Sequence, residues 1–396
     1  MINSETSRTA RKVRAGSITE VLLAFLKLGF TSFGGPIAHL GYIRDELVLR
    51  RKWVDDTTYA DLVALCQFLP GPASSQVGFA LGLLRGGPMG ALAAWIGFTL
   101  PSAIFLYLFA LWATAFDGPL MTGIVSGLKI VAVAIVAQAV WGMAKNLCPD
   151  RERATIALSA VLIAILSTSA FGQVAAIAVG AMAGLVFCRS QNIQTVGHLS
   201  FPVTRTFGVT ALVLFGVLLI ALPIAASAIE MQGLAIFDAF YRAGSLVFGG
   251  GHVVLPLLET EVVKSGWVSH DQFLTGYGAA QAVPGPLFTF AAYLGTVLQP
   301  APNGIVGATL ALVAVFVPGF LLLIGVLPFW DGFRRRPNAQ ALMGSGKLPG
   351  CAALTHDDQF SVGFTLQDRL NNAAVQMHWF NFPGNTRPHA SLAGIQ

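Results

Sequence analysis

Long apolar stretches with few polar interruptions dominate the chain up to about residue 330. A stretch needs roughly 17–25 residues to cross a ~30 Å hydrocarbon core as a helix. The pattern predicts about ten such segments, at 18–40, 57–83, 88–113, 118–144, 154–169, 171–188, 206–229, 235–256, 271–298 and 303–330. The fifth and sixth are short enough to form one tight hairpin. We therefore expect an all-α polytopic membrane protein.

Composition supports membrane embedding and excludes several classes of function. Only 11% of the residues are charged, 55% are hydrophobic and the mean hydropathy is +0.68, whereas soluble domains have about 25% charged residues. The formal net charge of +5 is small and lies in loops, so it indicates no nucleic-acid partner. No CxxC spacing, catalytic triad or dinucleotide fingerprint occurs. The sequence predicts no metal site, no cofactor and no enzyme.

A motif occurs twice along the chain. The first copy is Phe33-Gly34-Gly35-Pro36, Trp53 and Gln67-Phe68-Leu69-Pro70-Gly71-Pro72, and the second is Phe248-Gly249-Gly250-Gly251, Trp267 and Gln281-Ala282-Val283-Pro284-Gly285-Pro286. The copies are 215 residues apart at the start and 214 at the end, so one residue has been lost between the two blocks. An apolar chain built from two such halves is the usual plan of a secondary transporter.

The repeat and the composition divide the chain into four parts. We predict a cytoplasmic flank at 1–17, a first half at 18–205, a second half at 206–333 and a polar tail at 334–396. We expect the second half to be truncated relative to the first, because its apolar pattern stops after an arginine run. Our hypothesis is that the tail from about Gly344 is out of frame or replaced, which sequencing of the downstream DNA would test.

Basic residues in loops predict the orientation. With the N-terminus in the cytoplasm, most Lys and Arg lie inside, but the loop with Arg44, Arg50, Arg51 and Lys52 falls outside. Either segment 18–40 is re-entrant or the rule fails at this loop. On the ten-segment count the two motif copies are seven segments apart, which predicts inverted halves.

The motifs themselves predict broken helices. Proline removes a backbone donor and glycine permits unusual dihedral angles, and unwound backbone is tolerated at membrane depth only where it faces protein or a cavity. Half-helices that begin at such breaks direct positive dipole ends towards the cavity, which favours an anion. A proline kink, or glycine used for helix packing, is the alternative. The predicted substrate-facing residues are Gly34, Gly35, Pro36, Pro70, Gly71, Pro72, Gly249, Gly250, Pro284, Gly285 and Pro286.

Polar residues within the apolar segments are the candidates for chemistry. Lys27 and Arg242 occupy equivalent positions of the repeat, and buried cations in lipid require a cavity or a partner. We predict that they bind an oxyanion, although snorkelling to the interface is the alternative. Lys129, Gln67 and Gln281 are further substrate-binding candidates, and Asp61, His39, His252, Glu46 and Glu261 are candidates for proton coupling.

At these residues the chain resembles the chromate ion transporter family in its long-chain, two-domain form. The resemblance lies in FTSFGGPIAHLGYIRDELVLRRKWV with QFLPGPASSQVG, and in LVFGGGHVVLPLLETEVV with AVPGPLFTFAAYLG, and it covers roughly residues 18–333. It implies a bacterial inner-membrane protein that exports chromate, is driven by the proton motive force and confers chromate resistance.

The resemblance also implies partners and leaves alternatives open. Chromate is the implied substrate, and sulfate is expected to compete because the two anions share shape and charge. The lipid bilayer is the implied environment, and a homodimer stays open. An anion channel and an inactive truncated relic are the alternatives, whereas a chromate reductase lacks any cofactor motif.

Overall fold

The computed structural model describes residues 16–115, 123, 126–128, 130, 201–247 and 254–334. Within these residues the fold is helical and contains no strand. The helices are α1 (Ile18–Thr31), α2 (Gly35–Ile43), α3 (Asp56–Phe68), α4 (Ala73–Ala115), α5 (Arg205–Ala228), α6 (Gln232–Ser245), α7 (Val254–Val262), α8 (His270–Ala282), α9 (Phe290–Val297) and α10 (Gly304–Arg334). A π-helical stretch (Arg44–Arg50) extends α2, and a 3-10 turn (Leu287–Thr289) precedes α9.

Three helices are long and apolar enough to cross a membrane, at Ala73–Ala115, Arg205–Ala228 and Gly304–Trp330. The first of these is two helices in sequence, because Gly86 and Gly87 have non-helical dihedral angles and Gly87 has φ +63°. Its first arm is 73–85 and its second arm is 88–115. The predicted segments 118–144, 154–169 and 171–188 lie almost wholly outside the described residues.

Segments 18–40 and 57–83 are not single straight spans, as the ten-segment prediction had them. The Trp53 indole donates to the Glu20 carboxylate at 3.2 Å, and Arg85 bonds the same carboxylate at 3.1 Å. The end of the π-helical stretch and the end of the first α4 arm therefore both return to the start of α1. We call α1 with α2 and its π-helical extension the first hairpin, and α3 with the first arm of α4 the second hairpin.

Segments 235–256 and 271–298 fold back in the same way. The Gln299 amide donates to the Trp267 carbonyl at 2.9 Å, and a Cβ added to Gly233 would lie 3.6 Å from Pro302. We call α6 with α7 the third hairpin and α8 with α9 the fourth hairpin. Apolar length predicted these four segments as spans, but length does not distinguish one span from two half-helices that turn back.

The breaks lie where the motifs predicted them. Ser32 and Gly34 separate the two arms of the first hairpin, and Gly34 has φ +94° and caps α2. Pro70-Gly71-Pro72 forms the tip of the second hairpin and Pro284-Gly285-Pro286 the tip of the fourth. In the third hairpin the described chain stops at Val247 and resumes at Val254, and residues 248–253 lie outside the described residues.

Aromatic and small apolar side chains fill the core between the halves. Trp95, on the second arm of α4, packs edge-on against Phe316 and Phe320 of α10 at ring distances of 5.8 and 5.9 Å. Further along α4, Ala103 and Tyr107 belong to an apolar cluster with Ala292, Ala308 and Leu312. As residue numbers increase along α4, the numbers of the contacting residues on α10 decrease, so the two long helices pack antiparallel.

Candidate functional site

The tips of the hairpins meet in pairs across the two halves. The Gly285 amide donates to the Ser32 carbonyl at 2.8 Å, and the Gly71 amide donates to the Val247 carbonyl at 2.8 Å. Ser32 and Val247 are equivalent in the repeat, and so are Gly71 and Gly285. The two hydrogen bonds are therefore one contact made twice, as at an interface between two subunits related by a two-fold axis.

Glycine is required at both contacts. Gly71 has φ +119° and Gly285 has φ +114°, backbone conformations that side chains with a Cβ rarely adopt. A Cβ at Gly71 would lie 3.0 Å from the Gly319 Cα, and a Cβ at Gly285 would lie 2.6 Å from the Ser102 Oγ. Each tip is thus pressed against a long helix of the other half.

Gln76 fixes the tip of the second hairpin. Its side-chain Nε2 donates to the Pro70 carbonyl and to the Gly319 carbonyl, both at 2.9 Å. It is fully buried, so these bonds join the tip to α10 without competition from water. The sequence analysis missed this residue and singled out Gln67, which is exposed on the last turn of α3.

The predicted cations Lys27 and Arg242 each bond a carboxylate that was itself predicted. The Lys27 Nζ lies 2.7 Å from the Glu46 Oε2, and an Arg242 Nη2 lies 3.1 Å from the Glu261 Oε2. Both pairs span 19 residues of sequence, so they are the same ion pair repeated in the two halves. All four residues were predicted site residues, but the cations were not paired with the carboxylates.

The two ion pairs differ in their surroundings. Glu46 also accepts from the Arg50 Nη1 at 2.9 Å and from the Arg51 Nε at 2.8 Å, so one carboxylate holds three cations. We call Lys27, Glu46, Arg50 and Arg51 the cationic cluster. In the second half Arg242 also bonds Asp238 at 2.8 Å, so two carboxylates share one cation. We call Asp238, Arg242 and Glu261 the anionic cluster.

The pKa values of the two equivalent carboxylates shift in opposite directions. Burial alone would raise the pKa of Glu46, but hydrogen bonds from Lys27, Arg51 and Arg50 outweigh it and lower the pKa to about 2. Burial raises the pKa of Glu261, which the charge of Asp238 also favours and that of Arg242 opposes. Glu46 is thus held as an anion, whereas Glu261 binds a proton more readily than an ordinary glutamate.

The remaining predicted residues lie in several places. Gly34, Gly35 and Pro36 surround the first break, and His39 is buried on α2 with its ring 5.6 Å from the Phe98 ring. Gln281 donates to the Tyr277 hydroxyl at 2.9 Å. Asp61 lies half-buried on α3. Lys129, Gly249, Gly250 and His252 lie outside the described residues.

The apolar helices and the broken, paired hairpins define an integral membrane protein of the transporter class. The model of the chromate transporter family matches residues 19–185 and 234–355. The chain belongs to the chromate transporter family, whose known members are transporters and not enzymes.

Curated relatives agree with this assignment. The chain is 31% identical to the chromate transport protein of Pseudomonas aeruginosa over 77% of this chain and 71% of that protein. It is 29% identical to a probable chromate transport protein of Synechococcus elongatus, over 86% and 83% of the two chains. It is 28% identical to an uncharacterised transporter of Methanocaldococcus jannaschii, over 80% and 78%. No solved structure matches the chain.

Proposed function

We propose that this protein is a secondary transporter that exports chromate, or a sulfate-like oxyanion, across the bacterial inner membrane and thereby confers chromate resistance. The observation that carries the proposal is the pair of reciprocal tip contacts in a chain of the chromate transporter family. The described helix breaks converge there, and half-helices directed at such a point provide N–H donors and positive dipole ends for an anion.

We further propose that the two halves are inverted. The antiparallel packing of the second α4 arm on α10, represented by Trp95 against Phe316 and Phe320, supports this orientation. A two-fold axis that relates two antiparallel helices runs across them, and in spanning helices this direction lies in the membrane plane. On this proposal the four hairpins are re-entrant, two from each face, and their tips meet inside the membrane.

The re-entrant hairpins remove the exception to the positive-inside rule. The first hairpin returns to its own starting face, so Arg44, Arg50, Arg51 and Lys52 join the N-terminal flank and Arg85 in the cytoplasm. Arg205 and Arg334 then lie inside as well, at the far ends of α5 and α10. Among the described Lys and Arg residues in the turns between helices, only Lys264 near the turn into the fourth hairpin moves outside.

The charge difference between the two clusters follows from this orientation and favours export. The cationic cluster faces the cytoplasm, where its excess positive charge raises the local concentration of a dianion. The segment between Glu261 and Trp267 is one residue shorter than its counterpart, and no second cation bonds Glu261 among the described residues, so the outer cluster is anionic and releases the dianion. Lys27 and Arg242 remain the proposed substrate cations, and Glu261 is the favoured proton-coupling residue.

The membrane potential supplies a driving force for this direction. Moving one charge through 100 mV corresponds to about 2.3 kcal/mol, so a dianion that leaves a negative interior gains about 4–5 kcal/mol. Proton coupling would add the pH gradient to this term. A channel would use the potential alone, which makes the channel the alternative to be separated by experiment.

The transport prediction is tested by chromate uptake into energised inverted inner-membrane vesicles. We expect saturable accumulation that excess sulfate blocks and that a protonophore abolishes. Preloading the vesicles with unlabelled chromate should accelerate uptake of labelled chromate, because the binding site of a carrier returns to the outer face of the vesicle faster with an anion bound than when empty. A channel shows no such acceleration. Absence of uptake, with the protein confirmed in the membrane, would contradict the proposed function.

A further inference from the structure

Three side chains near the first break each contain a buried polar atom without a hydrogen-bond partner among the described residues. The atoms are the Ser32 Oγ, the His39 Nδ1 and the Thr99 Oγ1, and their residues are 0%, 1% and 2% exposed. A buried polar atom that makes no hydrogen bond costs about 1–3 kcal/mol. Several such atoms in one region therefore require an explanation.

Contacts around Gly285 bring these residues together. The Gly285 amide donates to the Ser32 carbonyl, and the His39 ring interacts with the Ser32 backbone. A Cβ at Gly285 would lie 2.6 Å from the Ser102 Oγ, and Ser102 in turn bonds the Thr99 carbonyl at 3.0 Å. We call Ser32, His39, Thr99 and Ser102 the hydroxyl cluster.

The repeat shows that the fold does not need these polar groups. Ser32 and His39 correspond to Val247 and Val254, 215 residues later. Gly29 packs on Pro101 of α4 as Gly244 packs on Pro318 of α10, so the two long helices are related by a shift of 217 residues. With this shift, Phe316 is the equivalent of Thr99 and Gly319 is the equivalent of Ser102. The other half therefore builds the same tip contact with apolar residues at these positions, and the side chain of Gln76 bonds the tip there instead.

The cluster also lies where positive helix ends converge. The α2 helix begins at Gly35, directly after Ser32, and the 3-10 turn and α9 begin after Pro286, directly after Gly285. Both helices direct their N-termini at the Ser32–Gly285 contact. Hydroxyl donors at such a point match the oxygen atoms of an anion.

We propose that the hydroxyl cluster is the desolvated site that recognises a tetrahedral oxyanion during transport, and that this site belongs to the first half alone. This inference rests on the proposed function. It assigns recognition of the anion to neutral hydrogen-bond donors, while Lys27, which lies five residues before Ser32, supplies a positive electrostatic potential. In the proposed site these hydroxyl groups replace the water molecules that hydrate the anion in solution. When no anion is bound, the same buried atoms lack hydrogen-bond partners, and this destabilises the closed tip contact.

The test replaces the hydroxyl residues of the cluster by valine, which has no hydrogen-bonding side chain. Ser32→Val copies Val247, and Thr99→Val keeps the shape of threonine. Thr296→Val is the matched control, because Thr296 is a buried hydroxyl whose bond to the Ala292 carbonyl lies in the fourth hairpin. We expect each cluster variant to raise the KM for chromate uptake at least tenfold, and the control to keep the KM of the wild type.

Thermal stability separates a binding role from a structural one. Removing a buried polar atom that has no partner leaves stability equal or raised, so Ser32→Val should unfold at or above the wild-type temperature while transport falls. Sodium sulfate, compared with sodium chloride at equal ionic strength, should stabilise the purified wild type and not Ser32→Val. Cluster variants with wild-type KM and wild-type stabilisation by sulfate would overturn the inference.

The two proposals fail in different ways. If the wild type takes up chromate and the cluster variants do so equally well, the site assignment is wrong and the transport function stands. If sulfate stabilises the wild type but not Ser32→Val, and no chromate uptake occurs, the anion site stands and the transport function is wrong. An ordered water in place of an anion would give variants with unchanged KM, which also overturns the site.

Discussion

Replacement of Glu46 by glutamine is expected to lower the free energy of unfolding by about 1–2 kcal/mol at neutral pH and to abolish transport. A pKa lowered from 4.5 to about 2 sets an upper bound of roughly 3 kcal/mol, and solvent screening reduces this value because the side chains of Lys27 and Arg50 are 47% and 67% exposed. Because the pKa of an acid is lowered, the stabilisation is complete above about pH 4.5 and is lost as the pH falls towards 2. Glu46→Gln should remove this acid-dependent part of the thermal stability in detergent.

The equivalent substitution in the other half is expected to have the opposite sign. Glu261 shares one arginine with Asp238, and burial raises the pKa of Glu261. Glu261→Gln removes an excess negative charge, so stability at neutral pH should be unchanged or higher. Its transport should lose pH dependence if Glu261 carries the coupling proton. Equal destabilisation by Glu46→Gln and Glu261→Gln would contradict the assignment of the two clusters.

Replacement of Gly285 by valine is expected to stop transport with little protein lost from the membrane. The substitution forces a φ of +114° on a β-branched residue and places its Cβ at the Ser102 Oγ, which costs about 1–3 kcal/mol in backbone strain alone. The tip contact with Ser32 cannot form in that geometry. Chromate uptake and membrane abundance, measured together, test this expectation.

Substitutions at two further glycines serve as a parallel test and a control for Gly285→Val. Gly71→Val should have the same effect, since Gly71 makes the equivalent contact with Val247. Gly41→Ala is the control, because Gly41 lies on α2 with no atom within 4 Å of an added Cβ. Normal uptake by both valine variants would show that the tip contacts are not part of the transport cycle.

The local sequence predicted the breaks and the apolar elements well. Proline and glycine act through their own backbone, so Pro70-Gly71-Pro72 and Gly34-Gly35 marked interruptions that the structure confirms. A return was expected only for segment 18–40, as one of two alternatives suggested by its basic loop. The return of the other hairpins depends on distant contacts, such as that of the Gln299 amide with the Trp267 carbonyl. Two half-helices that turn back have the same apolar length as one span.

The candidate site was predictable only in part. Lys27 with Glu46, and Arg242 with Glu261, could have been paired in advance, since both pairs recur at the same spacing with opposite charges. The hydroxyl cluster carried no such signal, because single serines and threonines in apolar helices are common. Its unusual feature, burial without a partner, exists only after α1, α4 and the fourth hairpin have packed together.

The opposite orientation of the two halves is the arrangement on which the account depends. Thr57 and Asp271 occupy equivalent exposed positions on the first turns of α3 and α8, which suits them to single-cysteine labelling after Cys66, Cys148, Cys188 and Cys351 are replaced. A membrane-impermeant maleimide should label Asp271→Cys in intact cells, and Thr57→Cys only in inverted vesicles. Labelling of both cysteines from the same face would contradict the inverted halves and the charge asymmetry derived from them.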